Sequence, residues 1–353
     1  MTHVLVARQD SAGDVLVTGP AIRAVAAGAE RVTLLCGRRG RPAAELLPGV
    51  DGIHEHTAPW IDPEPERLRA DETLALVARL AHLRLDQAIV FTSFHQSPLP
   101  LALLLRLAGV PRVAAICEDY PGSLLDVRHR PDEGLHEVER ALSLAVAAGY
   151  DLPAGDEDRL AVERPGSAPP VEPPYVVVHP GTSVPARAWP AERHAELVAA
   201  LAARGRRVVV TGDRGEQTLT ARVAAAAPSG AARDLGGRTS LAELADVLAG
   251  ADAVVAGNTG PAHLAAAVGT PVVSLYAPTV PAERWRPWGV PVVLLGDQNA
   301  PCAGSRATTC PVPGHPCLCS VTVADVLDAL ALLAGVRRRA SGQARPSMLE
   351  VTS

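Results

Sequence analysis

The chain has 353 residues, of which 48% are hydrophobic and 20% charged, enough apolar material for two packed cores of ordinary domain size. Its formal net charge is −5 with no long basic run, which argues against a nucleic-acid-binding protein, because such proteins carry a basic face. Residues 1–6 enter a strand-like segment directly, so we expect no secretory signal at this position.

Strands and helices alternate through the first half of the sequence. We predict strands at residues 3–7, 31–36, 88–91 and 113–117, and helices at residues 14–27, 99–108 and 133–148. Such alternation is typical of a parallel sheet covered by helices on both faces. We therefore predict that residues 1–155 form one α/β domain.

A proline-rich stretch follows this domain. Residues 156–174 contain five prolines and many charged side chains. This composition favours an extended connection over a packed element, so we interpret the stretch as an interdomain linker.

The second half repeats the alternation more regularly. We predict strands at residues 175–179, 207–211, 253–256 and 271–276, and helices at residues 190–204, 216–227, 241–248, 261–268 and 322–333. The uncharged stretch 253–282 is broken by glycines and prolines, which favours a buried strand, turn, helix and strand over a membrane span. We predict a second α/β domain at residues 175–334 and a flexible tail at residues 335–353.

In doubly wound sheets, ligands bind beyond the carboxyl ends of the strands, so we expect functional residues on the loops that follow strands. The loop after the first strand contains Ser11, Gly13 and Asp14. Two interpretations of Asp14 stay open from the residues alone: an acidic N-cap favoured by the helix dipole, or a general base that faces a cleft.

The loop after the first strand of the second half contains the small residues Gly181, Thr182 and Ser183, followed by Arg187. Small residues let a ligand approach the backbone closely, and a guanidinium can pair with a diphosphate. The alternative is an ordinary turn with a solvated arginine.

Thr211, Gly212 and Glu216 follow the next strand in the same way. A carboxylate at this place of a dinucleotide-binding fold accepts hydrogen bonds from a ribose. The alternative for Glu216 is an exposed acid in the first turn of a helix.

A further strand is followed by Asn258, Thr259, Gly260 and His263. The amides and the hydroxyl at such a helix start suit phosphate oxygens. His263 fits either a side chain directed at the cleft or a buried structural histidine.

Four of the six cysteines lie within eighteen residues, namely Cys302, Cys310, Cys317 and Cys319. Their spacing is not the paired pattern of common zinc sites. A structural zinc, a disulfide and a loop of reduced thiols all remain open.

Residues 10–20, 179–190, 257–264 and 269–278 resemble the motifs of glycosyltransferase family 9, the ADP-heptose:lipopolysaccharide heptosyltransferases. Residues 310–318 are similar to a loop common in that family. The motifs occur in the expected order across about residues 3 to 333. Arg187 stands where the family often has lysine, and Asn258 where it often has aspartate.

The resemblance implies a GT-B fold, in which two Rossmann-like doubly wound domains face each other across a cleft. It implies inverting, metal-independent transfer of a heptose or related sugar from an ADP-sugar, which is a co-substrate, so no cofactor is expected. Asp14 would be the general base in an acceptor-binding first domain, with Ser11 and Gly13 beside it. The nucleotide sugar would bind the second domain at Gly181, Thr182, Ser183, Arg187, Thr211, Gly212, Glu216, Asn258, Thr259, Gly260 and His263.

The expected partners are therefore a nucleotide-sugar donor and a glycan or small-molecule acceptor, without nucleic acid. We expect a cytoplasmic protein, with at most peripheral contact of the inner membrane face through Arg337, Arg338 and Arg339. Two alternatives are an enzyme like the nucleotide-sugar 2-epimerases and a non-catalytic sugar-nucleotide-binding protein. A NAD-dependent dehydrogenase is disfavoured because no G-x-G-x-x-G follows the first strand.

Overall fold

The structure is a computed structural model that describes residues 2–169 and 171–342, with side chains to residue 337. The chain divides into two compact units, and the division falls between Glu163 and Arg164. The first unit contains β1 (His3–Arg8), α1 (Ala12–Val17), α2 (Gly19–Gly28), β2 (Arg31–Cys36), α3 (Arg41–Ala44), β3 (Gly52–Glu55), α4 (Ala70–His82), β4 (Gln87–Val90), α5 (Leu99–Leu107), β5 (Arg112–Ile116), β6 (Val127–His129) and α6 (Glu137–Ala147).

The six strands of the first unit form one parallel sheet in the order β3-β2-β1-β4-β5-β6. Consecutive residues of β1 and β4 are buried, so both faces of the sheet are covered. This strand order is that of the Rossmann fold.

The second unit has the same topology. Its elements are β7 (Tyr175–His179), α7 (Ala191–Ala203), β8 (Arg207–Val210), α8 (Gln217–Ala224), β9 (Ala232–Asp234), α9 (Leu241–Ala249), β10 (Ala253–Gly257), α10 (Gly260–Ala267), β11 (Val272–Leu275), α11 (Ala282–Trp285), β12 (Val292–Leu295), α12 (Pro316–Cys319) and α13 (Val323–Gly342). The parallel sheet has the order β12-β11-β10-β7-β8-β9. When β7 is taken as the first strand and the order is read from the β9 edge, it is the same as that of the first sheet.

The stretch 253–282 folds as β10, α10, β11 and the start of α11, and the predicted strand, turn, helix and strand are confirmed. Within the described part of the chain, no helix combines the length and the apolar character that a bilayer crossing requires.

The predicted helix at 14–27 is interrupted in the structure. α1 ends at Val17, and α2 begins at Gly19. Pro20 has no N–H to continue the helical bonding, and the Thr18 hydroxyl donates to the Asp14 carbonyl at 2.9 Å. The break leaves α1 as a short helix of six residues.

The helix predicted at 133–148 begins later, at Glu137. Gly134 has a φ of +79°, which a right-handed helix excludes. Nδ1 of His136 accepts a hydrogen bond from the Val138 amide at 3.1 Å and caps the helix start.

The start of the predicted tail, 335–353, is wrong, because α13 continues to Gly342. Arg337 donates to the carbonyls of Ala251 and Asp252 at 3.2 and 2.9 Å, which fixes this part of the helix to the second unit. The remainder of the predicted tail, 343–353, lies outside the described residues.

The predicted linker is bonded to the units on either side of the division. Before it, Asp156 pairs with Arg23 at 2.7 Å, and the Glu163 amide donates to the Leu46 carbonyl at 2.7 Å. After it, the Arg164 guanidinium and the Ser167 amide donate to Asp246 at 2.9 and 2.7 Å. Through these bonds, the first part of the predicted linker belongs to the first unit and residues 164–167 belong to the second.

Two histidines of the second unit, His179 and His194, are buried. His194 on α7 meets Trp189 edge to face with ring centroids 4.8 Å apart, and its burial lowers its pKa to about 3. Burial lowers the pKa of His179 to about 4. Because the ordinary pKa is near 6.5, the unfolded chain binds more protons than the folded chain below that pH.

We predict that the free energy of unfolding falls as the pH drops from about 6.5 toward about 4. Above about 6.5 the two histidines are neutral in both states, and the folded chain keeps its full stability with respect to them. His194→Leu should flatten this fall by up to about 1.4 kcal/mol per pH unit, since it removes one group that takes up a proton on unfolding. Denaturant titrations at several pH values measure the slope. The control His82→Leu, at an exposed site on α4, should keep the wild-type slope, and an unchanged slope in His194→Leu would contradict the prediction.

Candidate functional site

Each sheet has one point where its connections reverse direction, between β1 and β4 in the first unit and between β7 and β10 in the second. Loops that leave the carboxyl ends of such neighbouring strands diverge and leave a crevice. Ser11, Gly13 and Asp14 follow β1, whereas the other predicted site residues follow β7, β8 and β10. The structure therefore places the predicted residues at the expected ends of the strands in both units.

Arg8, the last residue of β1, has a buried side chain surrounded by carboxylates. Its three guanidinium nitrogens each face a different one: Nε lies 3.5 Å from Asp10, one terminal nitrogen 3.6 Å from Glu137, and the other 3.2 Å from Asp14. This last nitrogen also donates to the Ser93 hydroxyl at 2.9 Å. Because Asp14 lies on α1, Ser93 follows β4 and Glu137 opens α6, the cluster joins β1 to α1, to the loop after β4 and to α6.

Asp14 is the third residue of α1, not its N-cap, so the N-cap interpretation is wrong in position. Its Oδ2 accepts from the Ser11 amide at 3.0 Å and from the Ser11 hydroxyl at 2.6 Å, and its Oδ1 accepts from Arg8 at 3.2 Å. The return bond to the N-cap amide is that of a capping box. Both carboxylate oxygens are held in place, while 17% of the side chain remains exposed.

Burial raises the pKa of Asp10 and of Glu137, and the positive charge of Arg8 opposes the rise in both. Burial disfavours the Arg8 cation, but the three surrounding carboxylates outweigh that effect, and its pKa is raised. Arg140 contacts Glu137 at 3.5 Å and adds a second cation to the cluster. Arg8 therefore stays ionised, whereas its buried carboxylates bind protons more readily than usual.

Sequence reasoning missed Arg8, Asp10, Ser93, Glu137 and Arg140 as members of this cluster. An available signal was the charged Arg8 at the end of an apolar strand, because such a residue requires buried partners.

In the second unit the structure brings together Gly181, Thr211 and Glu216. Nδ1 of His179 lies 3.0 Å from the Thr211 hydroxyl, and its Nε2 lies 3.9 Å from Glu216. A Cβ atom at Gly181 would lie 1.9 Å from Oε1 of Glu216, so only glycine leaves room for this carboxylate. Burial raises the pKa of Glu216.

Glu216 ends a 3₁₀ turn, Arg214–Glu216, that precedes α8. Its Oε2 accepts from the Asp213 amide at 2.9 Å, and a Cβ atom at Gly212 would lie 3.1 Å from the same oxygen. The carboxylate is thus fixed over two glycines and is half-buried, which excludes the interpretation as a freely exposed acid.

Arg187 ends a second 3₁₀ turn, Pro185–Arg187, whose backbone lies against Gly257. A Cβ atom at Gly257 would approach the Arg187 carbonyl to 3.3 Å. Thr182 accepts from the Val184 amide at 3.2 Å and shapes the approach to the turn, while Ser183 is exposed. The turn Pro185–Arg187, called the arginine turn below, and the loop after β10 are therefore neighbours.

The loop after β10 begins with Asn258, which is buried, and Thr259, the extended N-cap of α10. The Thr259 hydroxyl faces its own loop at 3.4 Å from the Gly257 carbonyl, and Gly260 is the first helical residue. His263 is buried within α10.

Residues 302–315 form a loop that sequence reasoning did not connect with the site. The Arg306 amide donates to the Thr279 carbonyl at 2.7 Å, and the Thr308 carbonyl accepts from the Ala186 amide at 2.9 Å. His315 bonds the Ala186 carbonyl at 3.1 Å. The loop thereby links the turn that carries Arg187 to the segment after β11.

All six cysteines are free thiols, so the cysteine-rich loop contains no disulfide. In the described part of the chain, no group of three or more His, Cys, Asp or Glu side chains is arranged to hold a metal ion.

Residues 74–315, more than half of the chain, match the model of glycosyltransferase family 9 (heptosyltransferase). The lipopolysaccharide heptosyltransferase 1 of Pseudomonas aeruginosa is 37% identical over 185 residues, which are 50% of this chain and 49% of that protein. The match thus spans about half the length of this curated relative.

Two solved structures share the fold over nearly the whole chain. The ADP-heptose lipopolysaccharide heptosyltransferase II of E. coli superposes with a TM-score of 0.71 at 22% identity and covers 96% of this chain and 100% of its own. E. coli heptosyltransferase WaaC with ADP gives 0.69 at 22% identity and covers 94% and 100%. The predicted GT-B class of two Rossmann-like domains is confirmed, and the chain belongs to glycosyltransferase family 9.

Proposed function

We propose that this chain transfers a heptose or a related sugar from an ADP-sugar to a hydroxyl of a glycan or small molecule, as an inverting, metal-independent enzyme. Family membership supports the reaction class, and the description of one structural neighbour as bound to ADP supports the donor. The observation that carries the proposal is the Asp14 carboxylate, held through both oxygens at the carboxyl end of β1 yet partly exposed.

In the proposed reaction, Asp14 takes the proton of the acceptor hydroxyl while that oxygen attacks the anomeric carbon. The bond from this carbon to the diphosphate breaks on the opposite side, and ADP departs with the electron pair, which inverts the configuration. The family match begins at residue 74, so this role rests on the geometry of Asp14 and on the likeness of residues 10–20 to the family motif.

We assign the diphosphate to Arg187 together with the backbone of Thr182, Ser183, Thr259 and Gly260. A guanidinium and fixed amides stabilise charge that develops on a leaving group. Arginine in place of the family's usual lysine keeps the charge and presents a planar fork.

We assign the ribose to Glu216, supported by Gly181, Thr211 and Gly212, because this carboxylate is fixed over the two glycines. Asn258 and His263 complete the proposed donor site. Asn258 supplies an acceptor oxygen without the negative charge of the aspartate that the family often has there.

In this proposal, residues 1–155 bind the acceptor and residues 175–334 bind the nucleotide sugar. The absence of a nucleic-acid partner, the cytoplasmic location and peripheral membrane contact stay predictions.

We predict that Asp14→Asn lowers turnover by about 10²- to 10⁴-fold while donor binding persists, because the amide cannot accept the hydroxyl proton. ADP release can be followed with ADP-heptose and heptose-deficient lipopolysaccharide as the probe acceptor. Asp132→Asn, at an exposed position of the same unit, should retain wild-type turnover.

Wild-type turnover in Asp14→Asn would remove this residue as the base. The same incubation without acceptor tests the alternatives. Epimers formed from nucleotide sugars would favour the 2-epimerase-like reaction, and nucleotide binding without any turnover would favour a non-catalytic protein.

We predict that ADP raises the melting temperature more than UDP, GDP or TDP, since a ligand at 100 times its dissociation constant stabilises the native state by about 2.7 kcal/mol. Gly181→Ala should reduce the ADP shift because the new methyl group displaces Glu216. Gly335→Ala is the matched control, because a Cβ atom there meets nothing within 4 Å. An equal ADP shift in Gly181→Ala and the wild type would contradict the assignment of Glu216.

A further inference from the structure

We propose that Arg8 is a positioning residue that holds Asp14 as an oriented anion, and that Asp10 and Glu137 limit this effect because they share the same guanidinium. The proposal rests on the proposed function insofar as Asp14 is the base. It assigns roles to three residues that the motif likeness did not include among the expected site residues.

Arg8 is itself fixed in direction. Its side chain is 2% exposed, and the nitrogen that meets Asp14 at 3.2 Å also donates to the Ser93 hydroxyl at 2.9 Å. Ser93 in turn donates to Oδ2 of Asp10 at 2.8 Å, and its amide donates to Gln96 at 3.0 Å. With Arg8 on one oxygen and Ser11 on the other, Asp14 has a single orientation.

The positive charge of Arg8 is divided among three carboxylates. Asp10 and Glu137 lie 3.5 and 3.6 Å from the guanidinium, only slightly farther than Asp14 at 3.2 Å. In a buried setting such distances give strong electrostatic coupling. A change in charge at Asp10 or Glu137 therefore changes the electrostatic environment of Asp14 without any contact with substrate.

The other charged groups on the elements packed against α1 are paired elsewhere. Arg41 on α3 pairs with Glu45 at 2.9 Å, and Arg23 on α2 pairs with Asp156 at 2.7 Å. Arg140 reaches the cluster through Glu137, at 3.5 Å. The charges expected to dominate the protonation of Asp14 are thus Arg8, Asp10 and Glu137.

The test is a direct titration of the Asp14 carboxyl group by carbon-13 NMR of the full chain labelled at aspartate. The resonance that is missing in Asp14→Asn identifies Asp14. Titrations then compare the wild type with Arg8→Met, Arg8→Lys, Asp10→Asn and Glu137→Gln. The measurement requires neither donor nor acceptor.

We expect Arg8→Met to raise the titration midpoint, with at least about a tenfold loss of acidity, because an opposite charge is removed at contact distance. Asp10→Asn and Glu137→Gln should lower the midpoint. Each removes a negative charge that competes for Arg8, so that the guanidinium stabilises the Asp14 anion more strongly. Arg8→Lys should shift it less than Arg8→Met, because the charge stays and the fork is lost. Shifts of opposite sign distinguish this role from general destabilisation of the fold.

An unchanged midpoint in Arg8→Met, or shifts of the same sign in Arg8→Met and Asp10→Asn, would overturn the proposal. If Arg8→Met does not fold, Asp10→Asn and Glu137→Gln decide alone: lower midpoints support the shared guanidinium, and unchanged midpoints overturn it. Arg79→Met, at an exposed site on α4, is the matched control and should leave the midpoint at its wild-type value.

The outcome is separable from that of the proposed function. An Asp14→Asn variant without turnover, combined with unchanged midpoints, refutes the role of Arg8 and keeps Asp14 as the base. Wild-type turnover in Asp14→Asn refutes the base whatever the titrations show.

Discussion

The arrangement of the first unit depends on one buried cation. A guanidinium taken out of water costs several kcal/mol unless close partners compensate it, so Arg8 at the end of β1 requires the carboxylates that surround it. Those partners come from the loop after β1, from α1 and from α6, and Ser93 adds the loop after β4. The short helix α1 is broken from α2 by Pro20, and the Arg8–Asp14 contact bonds it to β1.

In the second unit, glycines without side chains leave room for the groups of the candidate site. Glu216 keeps its position because Gly181 and Gly212 carry no side chain where its carboxylate lies. The arginine turn similarly approaches Gly257 through its backbone. In this unit the glycines matter by close contact, since none of these three has a positive φ, so their role follows from packing and not from chain flexibility.

The central strands could be predicted from the sequence because each is a continuous apolar run buried on both faces. The four missed strands, β3, β6, β9 and β12, all lie at sheet edges and are partly exposed. β3, β6 and β9 contain polar or charged side chains and lack the apolar pattern, whereas β12 is a short apolar run that sequence reasoning passed over. The loops of the candidate site could be placed because they follow predicted strands. The cluster around Arg8 could not, since residues 8, 93 and 137 meet only after the sheet is ordered. The end of α13 was missed because its anchor, the Arg337 bonds to Ala251 and Asp252, is a tertiary contact.

The loop at 302–315 constrains the backbone of the turn that carries Arg187. Both backbone groups of Ala186 are occupied, its amide by Thr308 and its carbonyl by His315, so the chain path into position 187 is set from outside the turn. The backbone position from which the side chain of residue 187 extends is therefore fixed by these two bonds. With the main chain held in this way, an exchange of Arg187 for lysine would alter the reach and the shape of the cation and leave the path of the turn in place.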